Sequence, residues 1–307
     1  MDVSIWFWIG FNLFVLGMLA LDLGVFNREA HVISVKEAAI WSTVWISLSL
    51  LFNLGIYLFA GPEPALAYLT GYLIEKALSV DNIFVMVVIF GYFGVEPKYQ
   101  HRVLFWGILG ALVMRGTFIG LGTMLIERFH AILFIFGALL VVTGLRMSLR
   151  DEKPFDESNK VLRIVRQVLP VSAQYHGKHF MVVENGRRLF TPLFLVLVMV
   201  EVTDLIFAID SIPAIFAVTT DPFLVYTSNI FAILGLRSLY FLLAGVVHKF
   251  HFLRYGLAFI LVFVGVKMLI ADWVHIPIVV SLGVIAGAIT VSIIVSMLFP
   301  QQNGFEG

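Results

Sequence analysis

Nine stretches of about twenty mostly apolar residues occupy most of this chain, at approximately 4–26, 38–60, 65–93, 101–127, 130–149, 191–218, 223–247, 253–271 and 276–299. A helix needs about 20 such residues to cross a bilayer. The sequence therefore predicts an all-α polytopic membrane protein with about nine transmembrane helices. Composition agrees: 60% of residues are hydrophobic and 13% charged, where soluble domains carry roughly 25% charged. The short linkers Gly61–Pro64 and Thr219–Pro222 suit helix stops and starts. Only Glu127, Arg128 and His130 separate the fourth stretch from the fifth. The first lacks a basic leader and a convincing cleavage site, so a retained span is expected and not a signal peptide.

Lys and Arg set the expected orientation. With the N-terminus outside, the inner loops hold Arg28 and Lys36, then Lys98 and Arg102, a large set from Arg146 to Arg188, and Lys249 with Arg254. The outer loops hold essentially Arg128 alone. The C-terminus is then cytoplasmic, as is the polar segment 150–189. In that segment Val161–Leu169 is expected to form a short surface helix. Asn185-Gly186 suits the tight turn of a hairpin between 179–183 and 188–190. A linker between two halves is favoured over a regulatory domain.

Carboxylates interrupt the apolar runs. Glu201, Asp204 and Asp210 lie within Leu193–Val218, and Glu75 and Asp81 lie in an earlier span. Ionisable groups at bilayer depth are costly, and a functional role is the default expectation for them. The offset from Glu75 to Asp204, 129 residues, also carries Asp81 onto Asp210 and Asn82 onto Ser211. The spans after each acidic one hold a buried arginine, Arg115 or Arg237. The two series end in Gly144-Leu-Arg-Met147 and Gly265-Val-Lys-Met268. Three spans per unit is an odd number, so two copies lie inverted in the membrane, as in transporters whose site sits at the repeat interface. The divisions are 1–62 (two helices), 63–149 (first repeat), 150–189 (linker), 190–272 (second, inverted repeat) and 273–307 (last helix and tail).

Glu201 and Asp204 share a helix face. Asp210, six residues past Asp204, faces elsewhere on a continuous helix. Pro213 removes one backbone hydrogen bond and clashes with the preceding turn, and a break near 209–213 is expected to swing Asp210 and Ser211 toward Asp204. The candidate site is Glu75, Asp81, Asn82, Glu201, Asp204, Asp210 and Ser211. These hard oxygen donors suit Mn²⁺, Mg²⁺ or Ca²⁺. Lys76, Arg115 and Arg237 are the expected counter-charges. Three readings stay open on these residues: metal-ion translocation, proton-coupled transport of another solute, and a structural ion network.

Other features are read as scaffold. Asp22 is expected at a solvated helix end, and His130, His248, His251 and His275 at span ends. Asn53, Ser228 and Asn229 are expected to bond between helices. The Phe and Met stripes are packing or lipid-facing surface. Zero net charge gives no electrostatic case for nucleic acid, and the absence of cysteine excludes disulfides and thiolate ligands. No metalloprotease, phosphate-loop or nucleophile–base motif is present, so no enzyme and no prosthetic group are expected. The bilayer is the expected surrounding, and self-association into a homo-oligomer is left open.

The segments Gly71–Asn82, Glu201–Thr220 and Asn229–Arg237 resemble the signature segments of TerC family membrane proteins, closest to the Alx branch. The likeness runs from about Trp6 to Met297 and is weakest in the cytoplasmic segment. It implies a bacterial inner-membrane protein tied to tellurium resistance or alkaline response, built on inverted three-span repeats and exporting Mn²⁺. It puts the metal-binding acids on Glu75, Asp81, Glu201, Asp204 and Asp210, beside Asn82 and Ser211. Proton antiport is compatible with that. An assembly or metal-delivery factor, or an exporter of another small cation, is the alternative.

Overall fold

The computed structural model describes residues 3–21, 33–129, 131–149, 160–172, 174–184, 186–245, 250, 252–274 and 276–299. Asp22, Arg28, His130, Asn185, His248, Lys249, His251, His275 and residues 150–159 lie outside the described residues.

Eleven helices and one hairpin make up the described chain: α1 (Ile5–Leu21), α2 (Val35–Ala60), α3 (Pro62–Tyr92), α4 (Pro97–Arg128), α5 (Ala131–Leu149), α6 (Lys160–Val168), β1 (Met181–Glu184), β2 (Arg187–Phe190), α7 (Pro192–Phe216), α8 (Pro222–Leu234), α9 (Leu236–Leu243), α10 (Leu253–Leu269) and α11 (Ile278–Leu298). Four of them begin with proline at the first turn, namely α3, α4, α7 and α8. There its missing N–H costs nothing and its fixed φ suits a helix. Asp221 caps α8 by accepting from the N–H groups of Phe223 (3.0 Å) and Leu224 (3.2 Å). Between α2 and α3 the chain turns at Gly61, whose φ of 93° strains any residue with a Cβ.

Within the described residues, each of the nine apolar stretches is mostly helical. Among the described residues five helices suffice by length and apolar content to cross a membrane (α2, α4, α5, α7 and α11), or six if α8 and α9 count as one bent span. The shortfall has local causes. Helix α3 is 31 residues long but carries Glu63, Glu75, Lys76 and Asp81, while α1 and α10 have 17 residues each, about 25 Å of helix. The short helix and the hairpin expected between the halves are both present, as α6 and as β1 paired antiparallel with β2.

Pro213 does not break α7, which is helical from Pro192 to Phe216. The expected break is corrected here: α7 tolerates the loss of the one backbone hydrogen bond that Pro213 cannot donate and runs on three residues to its end. The bend lies instead at Gly235, between α8 and α9, at about 40°. Lys76 supports it by donating its ammonium to the Ala232 carbonyl (2.9 Å), a cation at a helix C-terminus.

Helices α3 and α4 each pack on α7 and α8 at the centre, and α5 packs along α10. Helices α1 and α2 cover one flank through aromatic contacts such as Phe11 with Phe231 and Phe52 with Tyr68. Outward faces of α2 and α11 expose Leu51, Leu58, Phe59, Val279, Val291 and Met297, an apolar flank of the kind lipid covers.

The tight contacts come in matched pairs. A Cβ built on Gly265 lies 2.7 Å from the Gly137 carbonyl oxygen and 2.9 Å from Val141 Cγ2. One built on Gly144 lies 2.7 Å from the Ala258 carbonyl oxygen and 2.8 Å from Val262 Cγ2. The offset from Gly144 to Gly265, 121 residues, also carries Gly137 onto Ala258 and Val141 onto Val262. Each contact is thus the other with the helices exchanged. As residue numbers rise along α5 their partners fall along α10, so the two run antiparallel. The centre repeats the pattern. Gly71 of α3 sits under Ser228 of α8, and Gly107 of α4 under Val200 of α7. The 129-residue offset turns 71 into 200, and the 121-residue offset turns 107 into 228.

Candidate functional site

The heptad spacing of an α-helix decides which polar groups reach the centre. Residues seven apart lie within about 20° of one face, while residues six apart differ by about 240°. Glu75 and Asn82 of α3 are seven apart, as are Asp204 and Ser211 of α7, and all four side chains are buried. Asp81 and Asp210, six residues on from the first acid of each pair, leave that face.

Arg115 of α4, 1% exposed, joins the two helices. Its guanidinium grips Asp204 with two nitrogens, Nη2 to Oδ1 at 3.1 Å and Nε to Oδ2 at 3.4 Å. Nη1 pairs with the Glu75 carboxylate and also reaches Ser211 Oγ (3.3 Å) and Asn229 Oδ1 (3.2 Å). Asn229 of α8 donates in turn to the other Glu75 oxygen at 3.1 Å, and Asn82 Nδ2 approaches Asp204 Oδ1 at 3.5 Å. Burying a charge costs several kcal/mol unless partners replace its water. Here one guanidinium, two amides and a hydroxyl surround two carboxylates. With both acids ionised the group carries a net charge of −1.

The remaining sequence candidates lie around this core. Glu201 packs its carboxylate onto Gly110 of α4, in the space that a Cβ there would take. Asp210 accepts a hydrogen bond from Thr143 of α5 at 2.9 Å. Asp81 is half-buried on α3. Of the seven expected site residues the structure joins Glu75, Asn82, Asp204 and Ser211 in one network; Glu201 lies one turn before Asp204 on α7, and Asp210 bonds to Thr143 of α5. Among the described residues no three acids or histidines converge closely enough to hold a metal ion. Among the expected counter-charges Arg115 is central, Lys76 serves the end of α8, and Arg237 is buried on α9.

Comparison with known proteins matches the model described as "Integral membrane protein TerC family" to residues 60–304. The chain belongs to the TerC family. That match spans both acidic helices and everything between them. This TerC protein is 54% identical over 292 residues to "Uncharacterized membrane protein STKORF319" of Myxococcus xanthus, covering 95% of this chain and 92% of the relative. It is 52% identical over 300 residues to a protein of Escherichia coli (strain K12) named "Putative membrane-bound redox modulator Alx", covering 94% and 93%. The Salmonella typhi protein of that name is 51% identical over 307 residues. No solved structure matches the chain.

Two residues of this TerC protein do what the sequence led one to expect and more: Arg115, expected as a counter-charge, is the hub of the network, and Asn229, expected to bond between helices, is a direct partner of Glu75. The signal for both was a polar side chain inside an apolar span. Thr143, the partner of Asp210, gave no signal, because a lone threonine in a helix commonly bonds back to its own backbone.

Proposed function

We propose that this protein is a transporter that exports a divalent metal ion from the cytoplasm, with Mn²⁺ the first candidate. The observation that carries the proposal is the pairing of Glu75 with Asp204, equivalent positions of two halves, on one buried guanidinium. Around it we place nine spans, two inverted three-span repeats, an external N-terminus and the bacterial inner membrane. The exchanged glycine contacts and the antiparallel packing of α5 on α10 support the inversion.

In this reading Arg115 holds the place that the ion takes during transport. An arriving divalent cation competes for the Glu75 and Asp204 carboxylates and takes Asn82 and Ser211 as further oxygen donors, a set that suits Mn²⁺. Asp81, Glu201 and Asp210 are proposed as ligands or relay acids on either side. Two positive charges on the ion match two carboxylates, and protons are the natural counter-cargo of acids that must release it. No catalytic step and no prosthetic group are assigned. We link the tellurium and alkaline-stress associations to cation export.

The name of the enterobacterial relatives points to redox chemistry. This chain has no cysteine, so a thiol–disulfide role has no residue to rest on here. A structural ion network is the second reading, favoured by how fully Arg115 satisfies both acids. Purified protein in liposomes separates the two: Mn²⁺ flux above that of protein-free liposomes is expected, and its absence in well-folded wild type contradicts transport.

A further inference from the structure

The ending Gly265-Val-Lys-Met268 places a cation in the last turn of α10. A lysine at such a position commonly answers the carbonyls of its own helix end or reaches out to the membrane surface. Lys267 is half-buried and turns instead to α11, where its ammonium donates to Ser281 Oγ at 2.9 Å. It stands on the wall of a cavity of about 740 Å³. The cavity lies at the end of the bundle where α3, α8 and α11 begin and α7 and α10 finish. Its volume is that of a ligand site, roughly 300–1,000 Å³.

A negative charge stands on the same wall. Glu63, in the first turn of α3, is exposed and lines the cavity with Lys267. Among the described residues no ion pair joins the two, so their charged ends stand farther apart than a contact pair. Asp221, the third charge of the wall, caps α8. The rest of the lining is mostly apolar, with Leu133, Phe216, Val274 and Val279 among it. Val274 and Val279 are 51% and 62% exposed, so the apolar wall continues onto the outer surface. Trp273 beside them is 77% exposed, and tryptophan concentrates at the membrane–water boundary. The cavity thus sits at headgroup depth, with opposite charges held apart above an apolar wall.

We propose that this cavity binds an aminophospholipid of the phosphatidylethanolamine type. Its phosphate takes Lys267, its primary ammonium takes Glu63, and the upper part of its chains lies along Val274 and Val279. A zwitterion is the ligand that meets both charges at once. An anionic headgroup would leave Glu63 repelling it, and a choline headgroup has no N–H to donate to the carboxylate. The site is separate from the central acid pair and does not depend on the transport reading.

The test is native mass spectrometry of the full chain in detergent, given equal amounts of phosphatidylethanolamine, phosphatidylcholine and phosphatidylglycerol with the same acyl chains. Phosphatidylethanolamine should be retained about tenfold over the other two, the size of one charge-assisted hydrogen bond. Glu63→Gln should bring it down to the level of phosphatidylcholine, while Lys267→Met should lower the retention of all three. Glu63 is exposed, so its variant keeps the test decisive if Lys267→Met does not fold. Water-soluble phosphoethanolamine at the same concentration should displace no lipid. Displacement would assign the site to a free zwitterion and overturn the lipid assignment. Equal retention of the three lipids, or a preference that survives Glu63→Gln, overturns the proposal.

Discussion

Replacing Arg115 with methionine should destabilise the protein by about 3–5 kcal/mol, the range for removing one partner of a buried ion pair. Methionine keeps the length and an unbranched shape, so the loss is one of charge and hydrogen bonds and not of volume. Glu75 and Asp204 would remain buried at 1% and 5% exposure with only amides and a hydroxyl near them. Thermal unfolding of the purified protein in detergent gives the comparison. The triple variant Arg115→Met, Glu75→Gln, Asp204→Asn should recover most of the stability, because neutral amides carry no ionic desolvation cost. An Arg115→Met protein as stable as wild type would show that the guanidinium is not what holds α3, α4 and α7 together.

The second large effect is expected at the α5–α10 contact. Gly265→Leu must push a side chain against the Gly137 carbonyl, where a Cβ alone already lies 2.7 Å from the oxygen. The obstacle is backbone, so no rotamer change relieves it and the helices must separate. Overpacking of this kind costs about 1–3 kcal/mol. Gly144→Leu meets the Ala258 carbonyl at the same 2.7 Å, so the two substitutions should cost similar amounts. Unfolding midpoints of the two variants check this. A large loss in one and none in the other would deny that the contacts are equivalent.

Much of the fold was legible in the sequence, and the reasons are physical. Apolar runs of bilayer length leave little alternative to helix, and prolines at first turns mark where α3, α4, α7 and α8 begin. The proposed repeat rests on correspondences legible in the sequence, Glu75 with Asp204, Asn82 with Ser211, and the two Gly-x-[Arg/Lys]-Met endings. What could not be read was which single residue joins the halves. Arg115 and Arg237 look alike as letters, and only packing puts the first between the acids and buries the second on α9. The proline misled for a related reason. Helix α7 tolerates the loss of the one hydrogen bond that Pro213 cannot donate, whereas Gly235, an unremarkable residue in the sequence, hosts the bend because Lys76 holds the end of α8 in place. Asp81 was grouped with the others by the 129-residue correspondence and Asp210 by the expected break at Pro213; in the unbroken helix Asp210 keeps a phase different from that of Asp204.

The claim at the centre is that one equivalent acid from each half forms a single transport site. Mn²⁺ flux into liposomes containing Glu75→Gln, Asp204→Asn or the surface control Glu96→Gln tests it most directly. Each of the two buried substitutions should reduce flux about tenfold or more, the loss expected when a charged contact to the ion is removed, and the control should match wild type. Wild-type flux in either Glu75→Gln or Asp204→Asn would contradict a shared site.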